Sequence, residues 1–164
     1  MRILVCPTRV LLRRAENGEL PPHSAAIVSH SAPVSEKSEA ILARLSRVIS
    51  LEYDDVTDPR ALRPFTSDHA EKIVEFYRSL PADTPLYVTC DFGESRSAAI
   101  AAALRRAERN DEMRVWKDPH YHPNLLVYAH LCRALGLPAG AFLLYRRERV
   151  SRRAFRRAKA SREF

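Results

Sequence analysis

Cys90-Asp91-Phe92-Gly93-Glu94-Ser95-Arg96-Ser97 decides how the rest of the chain is read. A cysteine is followed, after five residues, by an arginine and then a serine. The apolar run Pro85-Leu86-Tyr87-Val88 leads into the stretch and has strand character. The alanine-rich run from Ala98 to Leu104 leads out of it and has helix character. The stretch is therefore a loop that delivers the chain to a helix N-terminus, where the first amides lack intrahelical partners and suit an anion. A thiol at its start and a guanidinium at its end equip that loop to bind a phosphate and to attack it.

Outward from the loop, strands alternate with helices, which argues for an α/β fold. Met1–Cys6 reads as a buried strand and is too short for a signal-peptide core. Ala25–Ser29 is a second strand, after Pro21-Pro22. Ser35 opens a helical pattern carrying Ile41, Leu42 and Leu45; Arg47–Tyr53 alternates as a strand. Thr66 or Ser67 caps a helix with Ala70, Ile73, Val74 and Tyr77 at helical spacing. Further helices are expected over Ser97–Arg109, over Pro123–Leu135 with Gly136 closing it, and from Phe142 onward. The sum is a mostly parallel central sheet of about four to five strands flanked by helices.

The chain has 164 residues, suited to one domain, with a formal charge of +7 from 27 basic and 20 acidic residues. Nine of the basic residues and two of the acidic ones fall in residues 145–164, leaving 18 of each sign elsewhere. The expected division is thus a neutral catalytic unit over residues 1–144 and a basic C-terminal helix or tail over 145–164. The tail's arginines recur every three to four residues, which suits a nucleic acid or an anionic surface. No run approaches the roughly 20 apolar residues of a membrane span. Cys6, Cys90 and Cys132 have no metal-like spacing, and a reduced, cytoplasmic setting fits a working thiol. His120 and His122 form a loop pair rather than a zinc pattern, so neither a metal nor another cofactor is expected. Trp116, Tyr121, Cys6 and Cys132 read as core.

Within the loop each residue type has a chemical reason. A thiol attacks as its thiolate, which helix N-termini and nearby cations favour. Gly93 provides backbone freedom where the loop must wrap, and the amides of Asp91, Phe92, Gly93, Glu94, Ser95 and Arg96 are placed to converge on one anion. Arg96 can fork two phosphate oxygens, which a lysine cannot. Ser97 can hydrogen-bond the sulfur as it leaves.

C-x5-R-S between a strand and a helix resembles the signature of the cysteine-dependent protein phosphatases, and its mid-chain position resembles their dual-specificity branch. The string Trp116-x-x-Pro119-x-Tyr121-x-Pro123-Asn124-x-x-Val127-Tyr128 is similar to a bacterial and phage subgroup. The resemblance spans about residues 25–137. It implies hydrolysis of a phosphomonoester, phosphotyrosine protein foremost, through a phosphorylated Cys90. It also places a general acid two residues past the strand ending at Tyr53, which is Asp55. Asp54, which would face the sheet, and Asp58, a turn former before Pro59, are the alternatives.

Three residues depart from the family. Thr89 stands where a histidine is common, and Asp91 and Glu94 put two carboxylates into an anion-binding loop. Like charges at about 4 Å cost about 1 kcal/mol in water and more near protein, so both side chains should turn away, toward Arg105, Arg106 or Arg63. Glu94 at the mouth would otherwise favour a cationic substrate flank. Two other functions fit the same loop: an RNA 5′-phosphatase or triphosphatase, favoured by the tail, and a non-catalytic phosphate reader, favoured by Thr89, Asp91 and Glu94.

Overall fold

Four strands of six residues each, β1 (Arg2–Pro7), β2 (Ala25–His30), β3 (Arg47–Glu52) and β4 (Pro85–Cys90), form a sheet in the order β1-β4-β2-β3, every neighbouring pair parallel. A computed structural model describes residues 1–160; Arg162 and Glu163, counted above with the tail, lie outside the described residues. In chain order the elements are β1 (Arg2–Pro7), α1 (Thr8–Glu16), β2 (Ala25–His30), α2 (Glu36–Leu42), β3 (Arg47–Glu52) and α3 (Ser67–Arg78). There follow β4 (Pro85–Cys90), α4 (Arg96–Ala107), α5 (Met113–Lys117), α6 (Leu125–Ala134) and α7 (Ala141–Ala160). The expected fold class is the one observed, with four strands.

Successive strand residues face opposite sides, so an interior strand needs an unbroken apolar run. Strands β2 and β4 supply it. Ala25, Ile27, Leu86 and Val88 pack into a core shared with α3, α4 and α6. Ala26, Val28 and Tyr87 pack on the other face against Leu11 and Ala15 of α1 and Ile41 and Leu42 of α2. Helix α4 is buried from Arg96 through Leu104. Its alanines combine high helix propensity with a slim profile, which lets it lie close on β4 and β1.

Local chemistry sets the helix ends. Ser35 caps α2 by accepting from Ser38 N at 3.3 Å. Thr66 caps α3 in a reciprocal box, accepting from His69 N while its own amide donates to His69 Nδ1 at 3.1 Å. The helix α1 was not foreseen; it springs from β1 with Pro7 as its N-cap residue and buries Leu11 and Ala15. The short α5 was likewise unforeseen. The pattern carried past Ser35 ends at Leu42, though Leu45 is still buried.

The expected boundary at 144/145 falls inside α7, which starts at Ala141 and packs on α5 and α6. Its anchor is the carboxylate of Glu112, 7% exposed. That carboxylate accepts from Arg147 Nη2 at 2.6 Å, from Tyr128 OH at 2.6 Å and from Trp116 Nε1 at 3.3 Å. Ser151 Oγ adds a bond to the Tyr121 carbonyl. Among the described residues, no helix is long and apolar enough to cross a membrane.

Candidate active site

In a parallel sheet the loops beyond the strands' carboxyl ends gather on one edge, and a ligand site forms where they meet. Here the loop Cys90–Ser97 leaves β4, which is flanked by β1 and β2. Pro7 ends β1, Ser31 follows β2 and Tyr53 follows β3, and all three touch or face that loop.

Gly93 is fixed by two independent constraints. Its φ is +73°, a region costly for residues with a Cβ. A Cβ there would also stand 2.5 Å from Pro7 N and 2.6 Å from the Cys6 carbonyl carbon. The loop is thus seated directly on the backbone of β1.

Cys90 is 2% exposed, and its sulfur lies 3.1 Å from Ser97 Oγ. Thr89, fully buried, accepts a 3.2 Å hydrogen bond from Thr8 Oγ1, which ties the end of β4 to the start of α1. Burial pushes the thiols of Cys6 and Cys132 up, so these two stay protonated near neutral pH.

Arg96 is also 2% exposed. Its Nη1 donates to Ser31 Oγ at 2.9 Å and to the Tyr53 carbonyl at 2.8 Å. The guanidinium lies 5.7 Å from the Tyr53 ring centroid. Tyr53 is itself fully buried, bonded to Ser29, and burial pushes its hydroxyl up. Arg96 Nη2 pairs with Asp91 Oδ2 at 2.5 Å, while Nε is buried without a hydrogen-bond partner among the described residues.

This pairing corrects the expectation that Asp91 turns toward Arg105, Arg106 or Arg63. Arg105 donates to the Ile3 carbonyl, and Arg106 to Tyr128 and the Pro138 carbonyl. Arg63 holds Glu52 and Asp54. Within a five-residue loop the nearest cation to Asp91 is the loop's own. Phe92 is 78% exposed at the rim. Glu94 is exposed and borders a second cleft with His120, His122, Phe155 and Lys159.

The three candidate acids separate clearly. Asp55 Oδ1 accepts from Ser95 Oγ at 2.8 Å and from Asn124 Nδ2 at 2.7 Å. Asp54 does not face the sheet; Arg63 grips its two oxygens at 2.9 and 3.3 Å. Asp58 accepts from Arg60 N and closes a local turn. Only Asp55 touches the loop.

Asn124 was not singled out for function in the sequence. Its amide nitrogen holds Asp55 and the Val56 carbonyl, while its oxygen caps α6 by accepting from Leu126 N and Val127 N. Its own N–H reaches the Ser95 carbonyl at 3.3 Å, and His122 N reaches the Glu94 carbonyl at 3.0 Å. The segment before α6 therefore braces the loop from behind. A cleft of about 310 Å³ opens there, lined by Asp55, Ser95, Asn124, Trp116, His122 and Arg152. Trp116 is fully buried edge-on against Tyr128.

Comparison with solved structures finds this arrangement of elements elsewhere. The Yvh1 phosphatase domain from Chaetomium thermophilum superposes with a TM-score of 0.53 at 18% identity, covering 85% of this chain and 94% of that one. The core catalytic domain of the PP-IP phosphatase SIW14 from S. cerevisiae gives 0.49 at 13% identity, covering 98% and 86%. PTPMT1 gives 0.48 at 17% identity, covering 82% and 90%. No family model matches the sequence, and a search of curated proteins finds no match. The fold is that of the dual-specificity type of cysteine-dependent phosphatase, as in the Yvh1 domain.

Proposed function

We propose that the chain is a cysteine-dependent phosphatase that hydrolyses phosphomonoesters, phosphotyrosine protein first among them. The observation that carries this reading is the hydrogen bond from Ser95 Oγ to Asp55 Oδ1, which ties a carboxyl to the loop bearing Cys90 and Arg96. In the first step the Cys90 thiolate attacks phosphorus. A sulfur–phosphorus bond forms, the ester phosphorus–oxygen bond breaks, and protonated Asp55 gives its proton to the leaving oxygen. In the second step water attacks phosphorus, and Asp55 takes a proton from it. The sulfur–phosphorus bond breaks, releasing inorganic phosphate, with Ser97 donating to the departing sulfur. Arg96 and the amides of residues 91–96 stabilise the transferring phosphoryl group. A buried cation held at Nη1 by Ser31 and Tyr53 is already oriented for that task.

Turnover of an aryl phosphate tests this directly. Wild type should hydrolyse it and form an acid-stable phosphorylated Cys90, and Cys90→Ser should do neither. Phosphate binding without turnover across pH 5 to 8 would replace the enzyme with a phosphate reader.

A second reading has one observation behind it. Arg149, Arg153 and Arg156 lie along the exposed face of α7 with no ion pair among the described residues, and Arg146 there stacks only on Phe142. Such a row suits an RNA 5′-phosphate end, whose binding would weaken steeply with salt. Reversing Arg149, Arg153 and Arg156 to Glu should abolish action on RNA and spare that on aryl phosphate. Unchanged RNA action would remove this reading.

A further inference from the structure

We infer that Asp91 determines substrate choice by favouring phosphopeptides that carry a lysine or arginine beside the phosphorylated residue, an inference that rests on the phosphatase reading above. The starting point is how Arg96 is occupied. Nη1 is taken by Ser31 and the Tyr53 carbonyl, which leaves Nε and Nη2 as the edge available to fork an anion. Asp91 already holds Nη2. The neighbouring Nε is buried and has no partner among the described residues.

A phosphate that engages both nitrogens competes with the Asp91 carboxylate for Nη2. That carboxylate has no other hydrogen bond or ion pair among the described residues, and its side chain is 46% exposed at the rim. Displaced by a plain phosphate ester, it is left unpaired beside an incoming dianion. Displaced by an ester that carries its own cation, it changes one ion pair for another: phosphate goes to Arg96 and the substrate cation goes to Asp91. The exchange leaves no charge uncompensated.

The loop itself does not offer that cation. Besides Arg96, residues 91–95 contain two carboxylates and no basic side chain. Lys159 borders the cleft that Glu94 lines, and Asp91 does not line that cleft. Glu94 therefore shares a cleft with a protein cation, whereas Asp91 has one ion-pair partner among the described residues, the one the phosphate competes for. Phe92, exposed between the two carboxylates, supplies apolar surface for the aliphatic stem of a lysine or arginine.

Binding to the Cys90→Ser protein tests this without turnover. Three labelled phosphotyrosine peptides differ only in the residue after the phosphotyrosine: Lys, Ala or Glu. The lysine peptide should bind about tenfold more tightly than the alanine peptide, equivalent to about 1.4 kcal/mol, and the glutamate peptide more weakly still. In Cys90→Ser/Asp91→Asn the lysine preference should shrink to within about twofold, chiefly because the alanine peptide binds better. Cys90→Ser/Glu94→Gln should keep the preference. No lysine preference, a preference that survives Asp91→Asn, or an equal weakening of all three peptides would overturn the inference; the last would mean that Asp91 only steadies Arg96. Failure of all three peptides to bind would overturn it too. Aryl phosphate turnover by the Cys90 protein reports the phosphatase reading separately, so either can fail alone.

Discussion

Asp55 receives both of its hydrogen bonds, from Ser95 and Asn124, on Oδ1, and Oδ2 has none among the described residues. A carboxyl pinned by one oxygen has the other available for proton exchange with a leaving group. In the proposed reaction Asn124 is a positioning residue, acting only through Asp55. Asn124→Ala should lower kcat for an alkyl phosphate by on the order of tenfold to a hundredfold, with KM little changed. It should also cost about 1 kcal/mol of stability through the lost α6 cap. Asp55→Asn should cost about 10²- to 10⁴-fold in kcat. A fall in Tm with kcat intact would restrict Asn124 to capping. None of this coupling is visible along the chain, because Asp55 and Asn124 are 69 residues apart. The capping half of Asn124's role is local, and an Asn before an apolar helix is a readable sign of it.

Among the elements, α3 begins with an unusual capping box. Its N3 residue is His69, where Glu or Gln is the common choice. Thr66 N donates to His69 Nδ1, so that nitrogen must be unprotonated. Burial, with Lys72 nearby, holds the His69 pKa below its ordinary 6.5, and burial does the same for His130. The unfolded chain therefore takes up protons first as pH falls. Stability is complete above about pH 6.5 and declines as the solution is acidified from there toward the lower folded value. Melting temperatures from pH 7.5 to 5 should show this decline, and His69→Gln, which keeps an acceptor at N3, should reduce it. An identical profile for the variant would assign the titration elsewhere. The cap of α3, placed at Thr66 or Ser67, and the elements β4 and α4 were readable because each is written within a few consecutive residues; the His69 half of the box was not. Helix α1 was missed because Pro7 and Arg9 look like a break, although Leu11 and Ala15 are one helical turn apart. The Asp91–Arg96 pair was missed for another reason: the sequence lists several arginines, and only the folded loop brings one of them within reach.

At the scale of the whole molecule, α7 packs on the body through α5 and α6. Glu112 takes bonds from α5, α6 and α7, and Arg106 of α4 lies 3.8 Å away. Leaving a buried charge with no partner typically costs about 3–5 kcal/mol; removing Arg147 costs less than that but still weakens the site, since Glu112 keeps the longer Arg106 contact at 3.8 Å. Arg147→Ala should therefore unfold at clearly lower denaturant concentration than wild type. The exposed substitutions Arg149→Glu, Arg153→Glu and Arg156→Glu should leave the midpoint nearly unchanged. Equal effects of the two sets would mean that α7 is held by its charge as a whole and not by the Glu112 anchor. The basic character of this helix was plain in the sequence. Its attachment was not, since Arg147 is one of seven arginines in α7 and nothing local marks it as the one that reaches Glu112.

Gly93 rests on the backbone of Pro7 and Cys6, and among the described residues β1 pairs only with β4. Partners such as Arg2 and Pro85 leave the ribosome on the order of ten seconds apart at ordinary translation speeds. Strands β2 and β3 can pair soon after synthesis, while β1 must wait for β4 to emerge. The seat for Gly93 comes into being at the same moment as the β1–β4 ladder. A nascent chain consequently has no assembled Cys90–Ser97 loop until β1 is docked, and the appearance of the proposed activity during translation would time the closure of the sheet.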